Sequence, residues 1–291
     1  MKNINILGRI SSIFIYLILG ILAVACLYPF IYVLSASISS GDAVRTGKVL
    51  LFPKDINFES YVRVLSEPGI WKAYGNTIFY TLVGTFVNLV LTTCGAYPLS
   101  KKRLSGKAFI AFFVAFTMWF NAGIIPTYLN FRELGLLDSR TGIIVGFGIS
   151  AFLVFILRTF FQSIPDSLEE SAKVDGANDL QILWKIFLPL SKPALITVGL
   201  YYAVSRWNGY FWAMILLKND DLMPLQVLLK KMIVELSVKE EFMTGVDLST
   251  KFSTETIIYA TIVISVIPIV AVYPFLQKYF VKGTMIGGIK E

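Results

Sequence analysis

The chain has no histidine, and only two of its 291 residues are cysteine. Without imidazole, the commonest general acid–base side chain and most zinc sites are excluded. The two thiols, Cys26 and Cys94, fall inside apolar runs; this speaks against a disulfide framework and suits two small buried hydrophobes. Charge is scarce as well. Asp, Glu, Lys and Arg make up 15% of the chain, against roughly 25% in an average soluble domain. A surface so poor in charge points to the bilayer as its solvent. A phosphate-binding loop is also missing. The nearest string, LSGKAF at 104–109, lacks the first glycine and the Ser or Thr after lysine that would hold phosphates and Mg²⁺. Acids are absent from the interiors of the apolar runs, with Glu255 at an edge. That removes the embedded carboxylates expected of an ion-coupled carrier or an intramembrane enzyme. No catalytic residue and no metal site are expected.

What the chain does have is hydrophobic length: 56% of it is apolar. Six runs of bilayer-spanning length stand out, at 12–35, 73–97, 108–127, 141–159, 194–217 and 256–276. The first is too long for a leader and lacks a small-residue cleavage site, so it reads as a span. The fold class predicted is all-α, a polytopic membrane protein with six transmembrane helices in one domain over 1–291, with its core at about 73–276. No internal repeat or flexible linker divides it.

The short loop 98–107 carries Lys101, Lys102, Arg103 and Lys107 and no acid, which places it in the cytoplasm. Both termini then lie inside, in agreement with Lys2, Arg9, Lys278, Lys282 and Lys290. The net charge of +7 fits loops facing anionic lipid better than it fits nucleic acid, because no dense basic patch is interleaved with aromatics. Segments 38–72, 128–140 and 218–255 fall outside. Within the last, 223–233 has apolar residues at helical spacing, suiting either a helix at the interface or one that caps the bundle.

The segment 165–189 is different in kind. It is polar, helix-forming and lies between two apolar runs. Pro165 and Asp166 end the fourth run. Ser167 followed by Glu170 has the spacing of a capping box, and a helix is expected from Leu168 to about Asp175. Gly176 can take the positive φ that ends it. Asn178 or Asp179 then starts a second helix carrying Leu180, Leu183, Trp184 and Phe187, and Pro189 and Pro193 mark the return to the membrane. The product is two short helices joined at a glycine elbow, which serves a partner or stabilises the bundle as an amphipathic hairpin.

Here the sequence resembles a known family. Glu170-Ser171-Ala172, Gly176, Ile186 and Leu188-Pro189 stand at the spacings of the EAA signature of ABC importer permeases, with Ser171 in place of an alanine; Asp175 and Ala177 extend the match. Segments 120–139, 206–217 and 277–291 are similar to carbohydrate-importer permeases of the maltose-transporter type, in the branch that moves oligosaccharides and polysaccharides. The resemblance implies the type-1 importer transmembrane fold and a bacterial plasma-membrane location. It implies that 165–189 forms the coupling helices, with Glu169, Glu170, Ala172, Asp175, Gly176, Ala177, Leu183 and Trp184 as the set that meets a cytoplasmic ATPase. It implies that 277–291 is a cytoplasmic tail. The partners implied are a second, homologous permease, a dimer of ATP-binding subunits, an extracytoplasmic solute-binding protein, an oligosaccharide and membrane lipid. This chain would bind no cofactor, with ATP and Mg²⁺ on the ATPase, and would translocate its solute by alternating access.

For a sugar, polar and aromatic side chains within the runs are the candidates: Asn121, Tyr201, Tyr202, Arg206, Trp207, Asn208, Tyr210 and Trp212. Asn76, Asn88 and Thr92 follow them. Arg206, a basic residue well inside a run, either meets a carboxylate on an acidic sugar, snorkels, or binds backbone carbonyls at a subunit interface. Asn121 and Asn208 suit a pathway or inter-helix hydrogen bonds. A permease for peptides or amino acids is the alternative within the family, and an ATP-independent channel or secondary transporter the alternative outside it.

Overall fold

The computed structural model describes residues 6–242 and 253–286, and its regular structure there is helical throughout. In chain order the helices are α1 (Ile6–Ser37), α2 (Gly41–Arg45), α3 (Glu59–Leu65), α4 (Pro68–Ser100), α5 (Lys107–Trp119), α6 (Ile124–Glu133), α7 (Arg140–Val145) and α8 (Ala151–Gln162). They continue with α9 (Asp166–Val174), α10 (Asp179–Ile182), a π-helical turn at Leu183–Phe187, α11 (Leu188–Leu190), α12 (Lys192–Asn208), α13 (Phe211–Leu216), α14 (Leu225–Phe242) and α15 (Thr254–Ile286). Among the described residues, α1, α4 and α15 are long and apolar enough to cross a membrane unaided, and bent helix pairs raise the number of spans to as many as six.

The departures from the six expected runs are breaks. The third run is helical only to Trp119; the chain then turns by 117° into α6, and the Asn121 side chain accepts the Gly123 N–H at 2.9 Å within the turn. The fourth run is interrupted between α7 and α8, and the fifth between α12 and α13 at Gly209. Periodicity does not reveal such breaks, because hydropathy stays high across them. The segment at 223–233 also departs from an interfacial helix: Leu225 and Val227 are fully buried. Cys26 and Cys94 are free thiols on exposed faces rather than buried ones. Lys2, Lys290 and residues 243–252 lie outside the described residues, as does the end of the tail from 287.

Backbone contacts gather the chain into two compact units, Met1–Ile70 with Leu229–Ile267, and Trp71–Leu228 with Pro268–Glu291. In the first, Ala36, Ala43, Val44 and Val49 form a small core. Ser60 and Thr256 share a buried 2.8 Å hydroxyl hydrogen bond, and the Tyr32 and Tyr259 rings meet edge to face. Within α1, residues 11–31 keep their side chains exposed, as a helix facing lipid or another subunit does. The second unit holds two apolar clusters. One joins the end of α4 to α8, α12 and the polar insert through Ala96, Leu157, Phe161, Ile182, Phe187 and Val198. The other joins the start of α4 to α7, α13 and α14 through Tyr80, Ile143, Leu216 and Val227.

Candidate functional site

The insert folds as two short helices around a left-handed glycine. α9 starts earlier than the Ser167–Glu170 spacing predicts: Pro165 is its N-cap, without a side-chain cap bond, so Ser167 already lies inside the helix and the expected capping box does not form. Proline explains the shift, because its fixed φ leads the chain out of the fourth run and Asp166 meets the positive end of the helix. The helix closes with Ala177 N–H donating to the Ala172 carbonyl at 2.9 Å, and Gly176 has φ +80°. A capping box does form at the second helix, where Asn178 and Gln181 exchange side-chain-to-backbone hydrogen bonds at 2.8 and 2.9 Å. The turn then widens to π geometry at Leu183–Phe187, as expected where Pro189 removes a donor and crowds the carbonyl four residues back. The bend into α12 is 83°.

Charge ties this insert to the short basic loop after α4. The Glu169 carboxylate, 9% exposed, is paired with Lys101, with Lys173 at 2.5 Å and with Arg103 at 3.7 Å. Arg103 also pairs with Asp179, and Lys102 with Asp166 at 2.7 Å. The Lys101 ammonium lies 3.5 Å from the Phe187 ring centre and 4.2 Å from that of Tyr97. Burial pushes the Glu169 carboxyl up, but hydrogen bonds from Lys101 and Lys173 and their charges outweigh it, and its pKa sits below the usual carboxylate value. Burial lowers the pKa of Lys101, and Glu169 offsets this only in part.

Of the eight residues read as the coupling set, Glu169 and Leu183 therefore face inward, and Ala172 and Ala177 pack partly buried beneath the helices. Glu170, Asp175, Gly176 and Trp184 face outward. Val174 (87% exposed), Leu180 (64%) and Trp184 (64%) give that outer face an apolar patch beside its acids. Lys101, Arg103 and Val174 were not singled out for this role from the sequence; the acids opposite the basic loop were the signal for the first two.

The other candidates separate into two groups. Tyr202, Arg206, Asn208, Tyr210 and Trp212 line a cavity of about 460 Å³, together with Tyr80 and Asn88. Asn121 stays in the turn between α5 and α6, Tyr201 points outward, and Trp207 is buried with its ring 6.5 Å from that of Tyr74. The Arg206 guanidinium donates to the carbonyls of Ile143, Ile144 and Phe147 and to Asn88 Oδ1. It thus meets backbone carbonyls, but those of its own chain.

Broken apolar helices, a cavity within them lined by aromatic, amide and guanidinium side chains, and a polar helical insert outside them define an integral membrane transport component. The chain belongs to the family of binding-protein-dependent transport system inner membrane components, whose model matches residues 69–286. It is 41% identical over 290 residues to the polygalacturonan/rhamnogalacturonan transport system permease protein YtcP of Bacillus subtilis (strain 168), covering 100% of both chains. It is 38% identical to Protein LplC of the same organism, over 97% of this chain and 96% of that one. Among solved structures, it is similar to a chain in the crystal structure of a bacterial ABC transporter involved in the import of the acidic polysaccharide alginate. That match has a TM-score of 0.89 and 52% identity, over 96% of this chain and 100% of the other.

Proposed function

We propose that this chain is the permease subunit of an ATP-driven importer of oligosaccharides, acidic ones included, working in the bacterial plasma membrane with both termini in the cytoplasm. The observation that carries the substrate class is similarity over nearly the whole chain to a permease named for polygalacturonan/rhamnogalacturonan transport and to a chain of an ABC transporter involved in alginate import. The aromatic and amide side chains around the cavity suit sugars, whose C–H faces pack on rings and whose hydroxyls need hydrogen-bond partners. A second, homologous permease and an extracytoplasmic solute-binding protein complete the pathway. ATP and its Mg²⁺ are held by a pair of partner subunits, against which the outer face of α9 and α10 docks through Glu170, Asp175, Gly176 and Trp184. Glu169 and Leu183 shape that face from beneath. Nucleotide-driven closure of the partners moves the insert, and the cavity alternates between the two sides of the membrane.

The test is uptake into vesicles carrying the whole importer and its binding protein, with uronate oligomers, neutral oligosaccharides and short peptides as competing solutes. ATP-dependent accumulation of oligosaccharides, with uronate oligomers among them, is expected. Accumulation of peptides alone, or uptake indifferent to ATP, would contradict the reading.

A further inference from the structure

The fourth apolar run breaks between α7 and α8, and a break inside a bilayer leaves backbone groups without helical partners. Hydrocarbon offers no water to satisfy them, so irregular backbone survives there only where protein or a cavity meets its hydrogen-bonding groups. Three side chains from two neighbouring helices do this, and a fourth, Thr92, holds one of the three. Arg206 on α12 donates to Ile143 O, to Ile144 O at 2.8 Å and to Phe147 O at 3.0 Å, and also to Asn88 Oδ1 at 2.8 Å. Asn88 on α4, 1% exposed, turns its amide to Phe147 O at 3.3 Å. The Tyr202 hydroxyl accepts the Ser150 N–H at 2.9 Å and lies 2.6 Å from the Thr92 hydroxyl.

The spacing is regular. Tyr202 and Arg206 are one turn apart on α12, and Asn88 and Thr92 are one turn apart on α4, so each pair shares a helix face. One turn earlier on α4 stands Gly84. A Cβ there would lie 3.0 Å from Arg206 Nε and 3.2 Å from its Cδ, so the missing side chain makes room for the guanidinium. The backbone held in this way is itself cavity wall, since Ile143, Phe147 and Ser150 line the same space as Tyr202 and Arg206.

We infer that Asn88, Thr92, Tyr202 and Arg206 form a brace that fixes the broken fourth span as a wall of the cavity. Arg206 is then a positioning residue for transport and not the counter-ion of an acidic solute. The inference rests on the cavity being the solute path. A planar guanidinium serves three carbonyls and an amide at once, which an ammonium on a flexible stem cannot do.

The experiment compares Arg206→Lys, Arg206→Gln, Gly84→Ala and the double variant Arg206→Gln with Gly84→Ala in the reconstituted importer, with rates normalised to assembled complex. Arg206→Lys and Arg206→Gln are both expected to lower the maximal uptake rate by roughly tenfold or more, as misplacement of a site wall does. The loss should be equal for neutral and uronate oligomers, with the half-saturating concentration within about twofold of wild type. Gly84→Ala should lower the rate by crowding the guanidinium, and the double variant should be no slower than Arg206→Gln alone. Selective loss of uronate uptake in Arg206→Gln, restored in Arg206→Lys, would overturn the inference in favour of a direct contact. Additive losses at 84 and 206 would overturn the brace. Should the arginine variants fail to assemble, Tyr202→Phe removes one hydroxyl; a slower maximal rate supports the brace and an unchanged rate overturns it. If the wild-type importer accumulates some other solute in place of oligosaccharides, the substrate reading fails, and the same comparison is read with that solute.

Discussion

Glu169 lies in the signature segment yet turns away from the exposed face, and its neighbours make unequal demands on it. Removing it strands the Lys101 ammonium, 8% exposed, beside two aromatic rings, with Lys173 and Arg103 as cationic neighbours. Removing Lys101 leaves Glu169 still paired with Lys173. Breaking a buried pair from one side costs about 3–5 kcal/mol, so Glu169→Gln is expected near the lower end of that range and Lys101→Met at about 1 kcal/mol. Thermal unfolding of the purified complex checks the order, and Lys101→Met causing the greater loss would contradict it. The sign of the pH effect follows from linkage. The folded carboxyl has a lowered pKa, so its stabilisation is fully present above the ordinary carboxylate value and is lost as pH falls through the lower folded one. The contribution of the Glu169 carboxyl is therefore flat near neutrality and declines only in acid. Arg206 shows the limit of sequence reading at this scale. Its place inside an apolar run marked it as unusual, but its acceptors are carbonyls exposed by a break that apolar composition conceals.

At the scale of elements, the insert was the most legible part of the chain. Gly176 ends α9 with φ +80°, and a Cβ there would meet nothing of this chain within 4 Å, so within the chain a substitution acts on the backbone alone, and comparing two substituted residues separates backbone from bulk. Left-handed geometry costs roughly 1–2 kcal/mol for most residues and less for Asn. Gly176→Asn should therefore keep solute-stimulated ATP hydrolysis near wild type, and Gly176→Val should lower it by about tenfold, the equivalent of 1.4 kcal/mol. Equal activity of the two variants in a hydrolysis assay would show that the elbow conformation is not used. The start of α9 was less legible, because Pro165 and Ser167 both suit a helix start and proline's fixed φ decided between them. The breaks in the third, fourth and fifth runs were not legible at all. Glycines at 146, 148 and 209 stood in the sequence, but glycine is common in membrane helices, and only the side chains that serve the broken backbone distinguish a break from a packed helix.

At the scale of the molecule, composition and hydropathy gave the class, and the spacing in 165–189 gave the family. Neither gives the packing: the start of α14, where Leu225, Val227 and Leu229 are buried, read equally well as an interfacial helix, because apolar residues at helical spacing suit a bundle and a bilayer surface alike. The basic loop at 98–107 carries an expectation from the sequence, that it faces the cytoplasm, and a finding from the structure, that Lys101, Lys102 and Arg103 clamp the insert. Transport at this scale turns on the proposed docking of the insert on an ATPase. Its most direct measurement is site-specific photo-crosslinking from position 184 in native membranes, with mass spectrometry of the adduct. A crosslink to a polypeptide carrying a phosphate-binding loop is expected, lost when the photoreactive residue is placed at the buried position 183. Crosslinks only to lipid or to a second permease, under conditions that keep ATP-driven uptake intact, would contradict it.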